Sequence, residues 1–305
     1  MRGMTATRTP MSRRARPSRS LAALALAAIL APGCQTLVDT FGIGPEWIAV
    51  DASSGGLLDL EAQADLLAGR DVVFLGEVHD SPDGHALQLQ LLERLGERRA
   101  DIVLSLEMFE RDVQPELDAY LAGELGEATF LSGARPWKNY AADYRPLVEW
   151  ARARGAPVVA ANVPRELARR VSQEGLAAVA GEEFVPETVD AGPGEYRDRF
   201  ERAMAEHGGV DEQTLQLFFE SQCLKDEVMA ASIAAALDAE GGDVLVVHVC
   251  GSFHSDHRLG TVERLAARRP DLDMAVVTTR RAPRDAARLD ADDRAAADQI
   301  WLVRR

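Results

Sequence analysis

VVFLGEVH at residues 72–79 and VLVVHVCGSFH at residues 244–254 are the two stretches that decide the fold. Each is a short apolar run that stops at a glycine, Gly76 or Gly251, and each carries a histidine three residues beyond it, His79 or His254. Runs this short, without polar alternation, fit strands buried on both faces. Glycine at a strand end permits a sharp turn or a close backbone approach. Ligands of open α/β sheets bind beyond the carboxyl ends of the strands, so each motif is expected to present an imidazole at that edge.

Outward from these two strands, the chain alternates. Apolar runs at Ile102–Met108, Val158–Val163, Met274–Thr278 and Ile300–Val303 read as further strands. Between them, Leu87, Leu91, Leu92 and Leu95 recur at helical spacing in Asp83–Arg98, and Asp112–Ala122, Tyr144–Arg154, Pro164–Gln173, 211–239 and Thr261–Arg268 also read as helices. Strands alternating with helices predict an α/β fold: a mainly parallel sheet, helices on both faces, and a helical insertion over about residues 165–240. Residues 35–60 read as an extended lead-in, and residues 60–305 as the α/β domain.

The strand Ile102–Met108 brings Glu107 to the same level as the two motifs. Glu77, His79, Glu107 and His254 are therefore expected to share one crevice as catalytic candidates. With His79, His254 and Glu107 as ligands, such a set can bind a divalent metal ion. Without metal, a carboxylate can orient a histidine as general base for attack by water. His248 reads as a core histidine, His85 as facing solvent or else the crevice, His207 as exposed, and His257 as a rim candidate. Asp80 is a candidate cap for the following helix.

The first 33 residues hold six arginines and no acid, and end in the apolar run LAALALAAILA at 21–31. That run suits a signal-peptide h-region and is too short to span a bilayer. The small residue before Cys34 gives a lipobox-like ending. The expectation is a signal peptide over 1–33, a lipidated Cys34, export to the cell envelope, and outer-membrane sorting with Gln35 next to the cysteine. The membrane is then reached through the lipid anchor only. The net charge of −15 opposes nucleic-acid binding. Cys223 and Cys250 either pair or stay as buried free thiols.

Four stretches, in order, carry a resemblance to a known family. FLGEVHDSPDGHALQLQLL (74–92), LSLEMFERDVQPELDAYLAG (104–123), WKNYAADYRPLVEWARARGAPVVAANVPRELARRV (137–171) and VVHVCGSFHSDHRLG (246–260) resemble the motifs of ChaN-like haem-binding lipoproteins, a branch of the Tiki/TraB/erythromycin-esterase-like superfamily. The resemblance implies haem as cofactor, held between the subunits of a homodimer and bound through iron by a tyrosine, with envelope transport components as partners in iron uptake. Tyr140 and Tyr144 lie in the third motif and are the candidate ligands; Arg165 and Arg145 are candidates for a propionate. Phe109, Trp137, Phe218 and Phe219 are candidate lining residues, although aromatics make up only 6% of the chain. The wider superfamily implies an alternative: a metal-assisted or histidine-based hydrolase in which Glu77, His79, Glu107 and His254 hold the motif positions. A scaffold whose partner matters more than its chemistry is the third reading.

Overall fold

The computed structural model describes residues 47–206, 208–241, 243–282 and 289–304. The signal peptide, Cys34 and His207 lie outside the described residues. One eight-stranded sheet organises the rest, in the order β2-β1-β8-β7-β3-β6-β4-β5. Its strands are β1 (Trp47–Asp51), β2 (Leu57–Leu58), β3 (Val72–Glu77), β4 (Ile102–Glu110), β5 (Val158–Asn162), β6 (Leu245–Gly251), β7 (Met274–Ala282) and β8 (Gln299–Arg304). The six strands from β8 to β5 in that order run parallel. The lead-in was expected only to be extended; its residues 47–51 instead pair antiparallel with β8 and close that end of the sheet.

Every residue of β3, β4 and β6 is buried, as a central parallel strand covered on both faces requires. The side chains alternate with period two. Val73, Leu75, Leu104, Leu106, Val247 and Val249 join one core, beneath α1 (Leu60–Leu67), α2 (Pro82–Arg98), α3 (Gln114–Leu121), α4 (Glu127–Ala134) and α5 (Arg145–Arg154). Val72, Phe74, Val103, Val246 and Cys250 join the opposite core. That face is covered by two helices of the later chain. Between β5 and β6 the chain forms α6 (Arg165–Glu174), α7 (Glu195–Glu206) and the long α8 (Glu212–Ala239); α9 (Thr261–Arg268) follows β6. Ala230, Ile233 and Leu237 of α8 and Val262 and Leu265 of α9 pack on this second face. The segment expected as an insertion is thus, in α8, a layer of the fold.

Local chemistry sets the ends of these elements. Ser81, not Asp80, caps α2, its Oγ accepting from the Gly84 N–H at 3.3 Å; Asp80 instead pairs with Arg281. Gly155 closes α5 in the left-handed conformation. Residues 291–296, in the late polar stretch, form the short helix α10. Cys223 and Cys250 are buried free thiols.

The edge strand β5 is closed by a side chain. Gln114 Nε2 donates to the Val158 carbonyl at 2.8 Å, and the Ala160 N–H donates to Gln114 Oε1 at 2.7 Å. The amide thereby takes the place of a further strand on an otherwise unpaired ladder. Gln114→Ala is expected to leave both backbone groups without a protein partner, cost about 1–3 kcal/mol in urea unfolding, and speed hydrogen exchange at Ala160. An unchanged exchange rate there would contradict this role.

Candidate functional site

Because side chains alternate along a strand, the carboxylates at the ends of β3 and β4 fall on opposite faces of the sheet. Glu77 is directed to the α2 face and Glu107 to the α8 face. Strand β6 lies between them, and its last residue is Gly251.

On the α2 face, Glu77 is buried and fully engaged. Its Oε1 accepts from His79 Nδ1 at 2.8 Å and from the Tyr144 hydroxyl at 2.6 Å; its Oε2 accepts from Gln88 Nε2 at 2.7 Å. Burial alone would raise this carboxyl. The hydrogen bonds from His79, His85 and Gln88 outweigh it and hold Glu77 below its ordinary range. His85, expected to face solvent or else the crevice, is buried at 4% exposure. It lies 3.4 Å from Glu77 Oε2, and its Nε2 donates to the His79 carbonyl at 3.2 Å. Burial acts against its charge, but Glu77 raises it to about 9, so it stands as an imidazolium behind the site. Asn139 also donates to the His79 carbonyl, at 3.1 Å.

On the α8 face, Glu107 Oε2 accepts the Gly251 N–H at 2.7 Å, and its Oε1 lies 3.5 Å from His254 Nε2. His254 Nδ1 donates to Asp226 at 2.7 Å, and Asp226 also accepts from Thr261 at 2.8 Å and from the Tyr196 hydroxyl at 2.6 Å. Burial would lower His254. Glu107 and Asp226 outweigh burial and push it up to about 10. Burial would raise Glu107; the His254 charge reverses this and holds it far below the carboxylate range. His248 is buried, with Nδ1 2.9 Å from Ser105 Oγ, and burial pushes it down to about 3. It is a neutral core residue.

The two glycine motifs hold each other. β3 and β6 pair with Glu77, not Gly76, opposite Gly251, so the two motifs are one residue out of register. A Cβ on Gly251 would lie 2.9 Å from both Cε1 and Nε2 of His79. A Cβ on Gly76 would lie 2.7 Å from Ser255 Oγ and 3.1 Å from the Ser252 Cα. Each glycine thus makes room for the other motif; close approach, rather than the sharp turn also expected, explains them. Gly260 differs, with φ of +58° and the Asp226 carboxylate 2.9 Å from where its Cβ would sit.

Glu77, His79, Glu107 and His254 therefore meet around Gly251, but not as a metal centre. Among the described residues, no group of three or more His, Cys, Asp or Glu is placed to hold a metal ion. His254 stands between two carboxylates, with Asp226 on Nδ1 and Glu107 near Nε2. Of the two motif histidines, His79 is the more exposed. With 49% of its side chain exposed and Nδ1 held by Glu77, its Nε2 has no hydrogen-bond partner among the described residues. Its ring stands edge-on to Trp137, with centroids 4.9 Å apart.

Trp137 borders a cleft of about 610 Å³. Val163, Phe200 and Phe218 supply further apolar wall; Glu107, Glu110, Arg165, Arg169 and Lys225 supply charge. Arg165 faces the cleft but is paired with Glu110, and Arg145 is bound to Glu127. Phe219 and Phe109 are buried in the core at 2% and 0% exposure. His257 lies in a separate pocket with Arg280 and Asp292. The tyrosine ligands implied by resemblance do not open on the cleft. Tyr144 is fully buried and bound to Glu77, and Tyr140 is 3% exposed among Phe109 and Phe130. Burial raises both phenols, against the phenolate that iron would need. The residues not singled out in the sequence are Gln88, Asn139, Gln222, Lys225 and Asp226. The signal for the last three was polar residues recurring in an otherwise apolar helix.

A family model described as "Haem-binding uptake, Tiki superfamily, ChaN" matches residues 63–265. The chain belongs to this ChaN family. Among solved structures, this ChaN-family chain is similar in fold to ChaN of Campylobacter jejuni, described with cofacial haem binding. The TM-score is 0.65 at 16% identity, covering 85% of this chain and 97% of that one. An erythromycin esterase mutant in its open conformation is similar with a TM-score of 0.47 at 14% identity, covering 76% of each chain. The chloroplastic protein RETICULATA-RELATED 5 of Arabidopsis thaliana is 25% identical over 201 residues, or 61% of this chain and 27% of that protein. The ChaN-family chain therefore spans little more than a quarter of that relative.

The two glycines should separate stability from function. At Gly76 an added methyl meets backbone, and Gly76→Ala is expected to cost about 1–3 kcal/mol. At Gly251 its tight contacts are with the end of the half-exposed His79 side chain, and Glu107 Oε2 lies at 3.7 Å. Gly251→Ala is expected to cost less than Gly76→Ala while displacing His79, seen as a shifted His79 signal in imidazole NMR. Equal destabilisation with an unmoved His79 would contradict the interlock.

Proposed function

We propose that this chain binds haem in the cleft beside His79, as an exported lipoprotein of haem and iron uptake. Membership of the ChaN family supports the ligand, and the presentation of His79 carries the reading. An iron-ligating histidine characteristically has its second nitrogen fixed by a carboxylate or carbonyl. His79 has that form: Nδ1 bound to Glu77, Nε2 free, ring steadied by Trp137. In this reading His79, which meets the cleft wall at Trp137, would hold the iron in place of a tyrosine. Bound haem would supply a ferric iron, which His79 would hold. Glu77 would orient His79 and raise its basicity, Gln88 and Tyr144 would hold Glu77, and the apolar cleft wall would exclude water from the porphyrin face. A cleft of about 610 Å³ is of the size small-molecule sites use.

The same geometry favours one second reading. A histidine backed by a buried carboxylate and open at Nε2 is also the form of a general base. The two readings use His79 differently and are separable. In the haem reading, wild-type protein binds hemin saturably with a shifted visible absorption band. His79→Ala weakens that binding by about tenfold or more, the cost of a lost iron ligand, whereas Tyr140→Phe binds as wild type. In the hydrolase reading, hemin does not saturate, and His79→Ala instead lowers ester or amide hydrolysis by about 10²–10⁴. Hemin binding that survives His79→Ala and is lost in Tyr140→Phe would overturn the assignment of His79.

The placement in the cell envelope rests on residues 1–34. In this proposal the signal peptide is removed before Cys34, the cysteine is acylated, and the protein is held on the outer membrane, where a homodimer and transport components would share the haem. Several acyl chains anchor stably where one is marginal. Growth with a palmitate analogue should label the wild-type protein and not Cys34→Ser; equal labelling of both would refute the anchor.

A further inference from the structure

The cleft contains a cation that no group among the described residues balances. Lys138 and Lys225 are the only lysines in the chain, and Lys225 lines the cleft, half-buried, on α8. The other cations there are committed: Arg165 to Glu110, and Arg169 to Glu166. The acids are committed too. Glu107 is held by the Gly251 N–H and faces His254, while Glu110 is held by Arg165 and Arg135. Lys225 has no hydrogen bond or ion pair among the described residues. A half-buried ammonium without a counter-charge carries a desolvation cost that an incoming anion removes.

Its position is also fixed by its neighbours. The preceding turn of α8 carries Gln222, which donates to Tyr196 at 3.2 Å and lies 3.2 Å from His254 Nδ1. The next residue is Asp226, bound to His254, Thr261 and Tyr196. The helix is pinned on both sides of Lys225 by these contacts. The same cleft has apolar lining from Trp137, Val163 and, two turns earlier on α8, Phe218. A ligand that satisfies both has a flat apolar body and a peripheral carboxylate.

We propose that Lys225 is the residue through which the cleft reads a carboxylate of its ligand. This rests on the haem reading, in which that carboxylate is a propionate. It adds an anion-recognising residue where the resemblance pointed to arginines.

The two lysines make the test direct. Reductive ¹³C-dimethylation keeps the charge and gives one signal for Lys138 and one for Lys225, the latter assigned by its absence in Lys225→Gln. Metal-free protoporphyrin IX should shift the Lys225 signal and not the Lys138 signal, and its dimethyl ester, in the same detergent-containing buffer, should shift neither. In parallel, Lys225→Gln should weaken hemin binding by about tenfold, the scale of a lost charge-assisted hydrogen bond. It should leave binding of the hemin dimethyl ester unchanged, and Lys225→Arg should restore hemin binding. If wild type binds hemin but Lys225 is silent, or diacid and diester act alike, the role of Lys225 is overturned while the haem reading stands. If hemin does not bind and neither lysine signal moves, both fall.

Discussion

The site depends on two strands lying side by side with no side chain at either glycine. His79 occupies the space beside Gly251, and the Ser252–Ser255 turn occupies the space beside Gly76. Neither motif can reach its position unless β3 and β6 are paired in their offset register. That pairing in turn requires both faces of the sheet to be covered, by α2 and α5 on one side and α8 and α9 on the other. The imidazole of His79 is thus placed by the backbone of a strand far along the chain, which is how a parallel sheet gives precision to a loop residue.

The alternation of side chains then divides the charge. Glu77, His85 and Gln88 gather beneath His79 on one face; Glu107, His254 and Asp226 gather on the other. Buried charges are tolerated only when paired, and removing one partner leaves the other stranded at a cost of about 3–5 kcal/mol. Here each buried imidazolium faces at least one carboxylate. The arrangement leaves His79 as the histidine of this cluster whose outer nitrogen is uncommitted, and Lys225 as the unpaired cation lining the cleft. In the proposed reading these two groups, with Trp137 and Phe218, would set what kind of molecule the cleft holds.

Much of this was legible in the sequence because strands buried on both faces are written as unbroken apolar runs, and the two Gly-x-x-His echoes follow such runs directly. The α/β class, the central strands and the α8 helix follow from those patterns. Other features were not legible, for physical reasons. Strand β1 is short and half-buried, so WIAVD resembles any loop. The burial of His85 depends on a carboxylate from another element. Sequence spacing does not reveal that Asp226 stands behind His254, because that contact is made by tertiary packing of α8 on the strand edge. For the same reason the metal set of His79, His254 and Glu107 looked reasonable in the sequence. Among the described residues these three do not form a metal-holding group. Tyr140 and Tyr144 matched a family motif in sequence, but a π-helical turn over Tyr140–Tyr144 directs both rings into the core.

The central claim is that His79, backed by Glu77, is the group this chain offers to haem iron. Resonance Raman spectroscopy of the haem complex tests it most directly, because the iron–axial-ligand vibration identifies the ligand atom. The account predicts an iron–histidine stretching band in the reduced complex that disappears in His79→Gln. An iron–phenolate band in the oxidised complex, unaffected by that substitution, would contradict it.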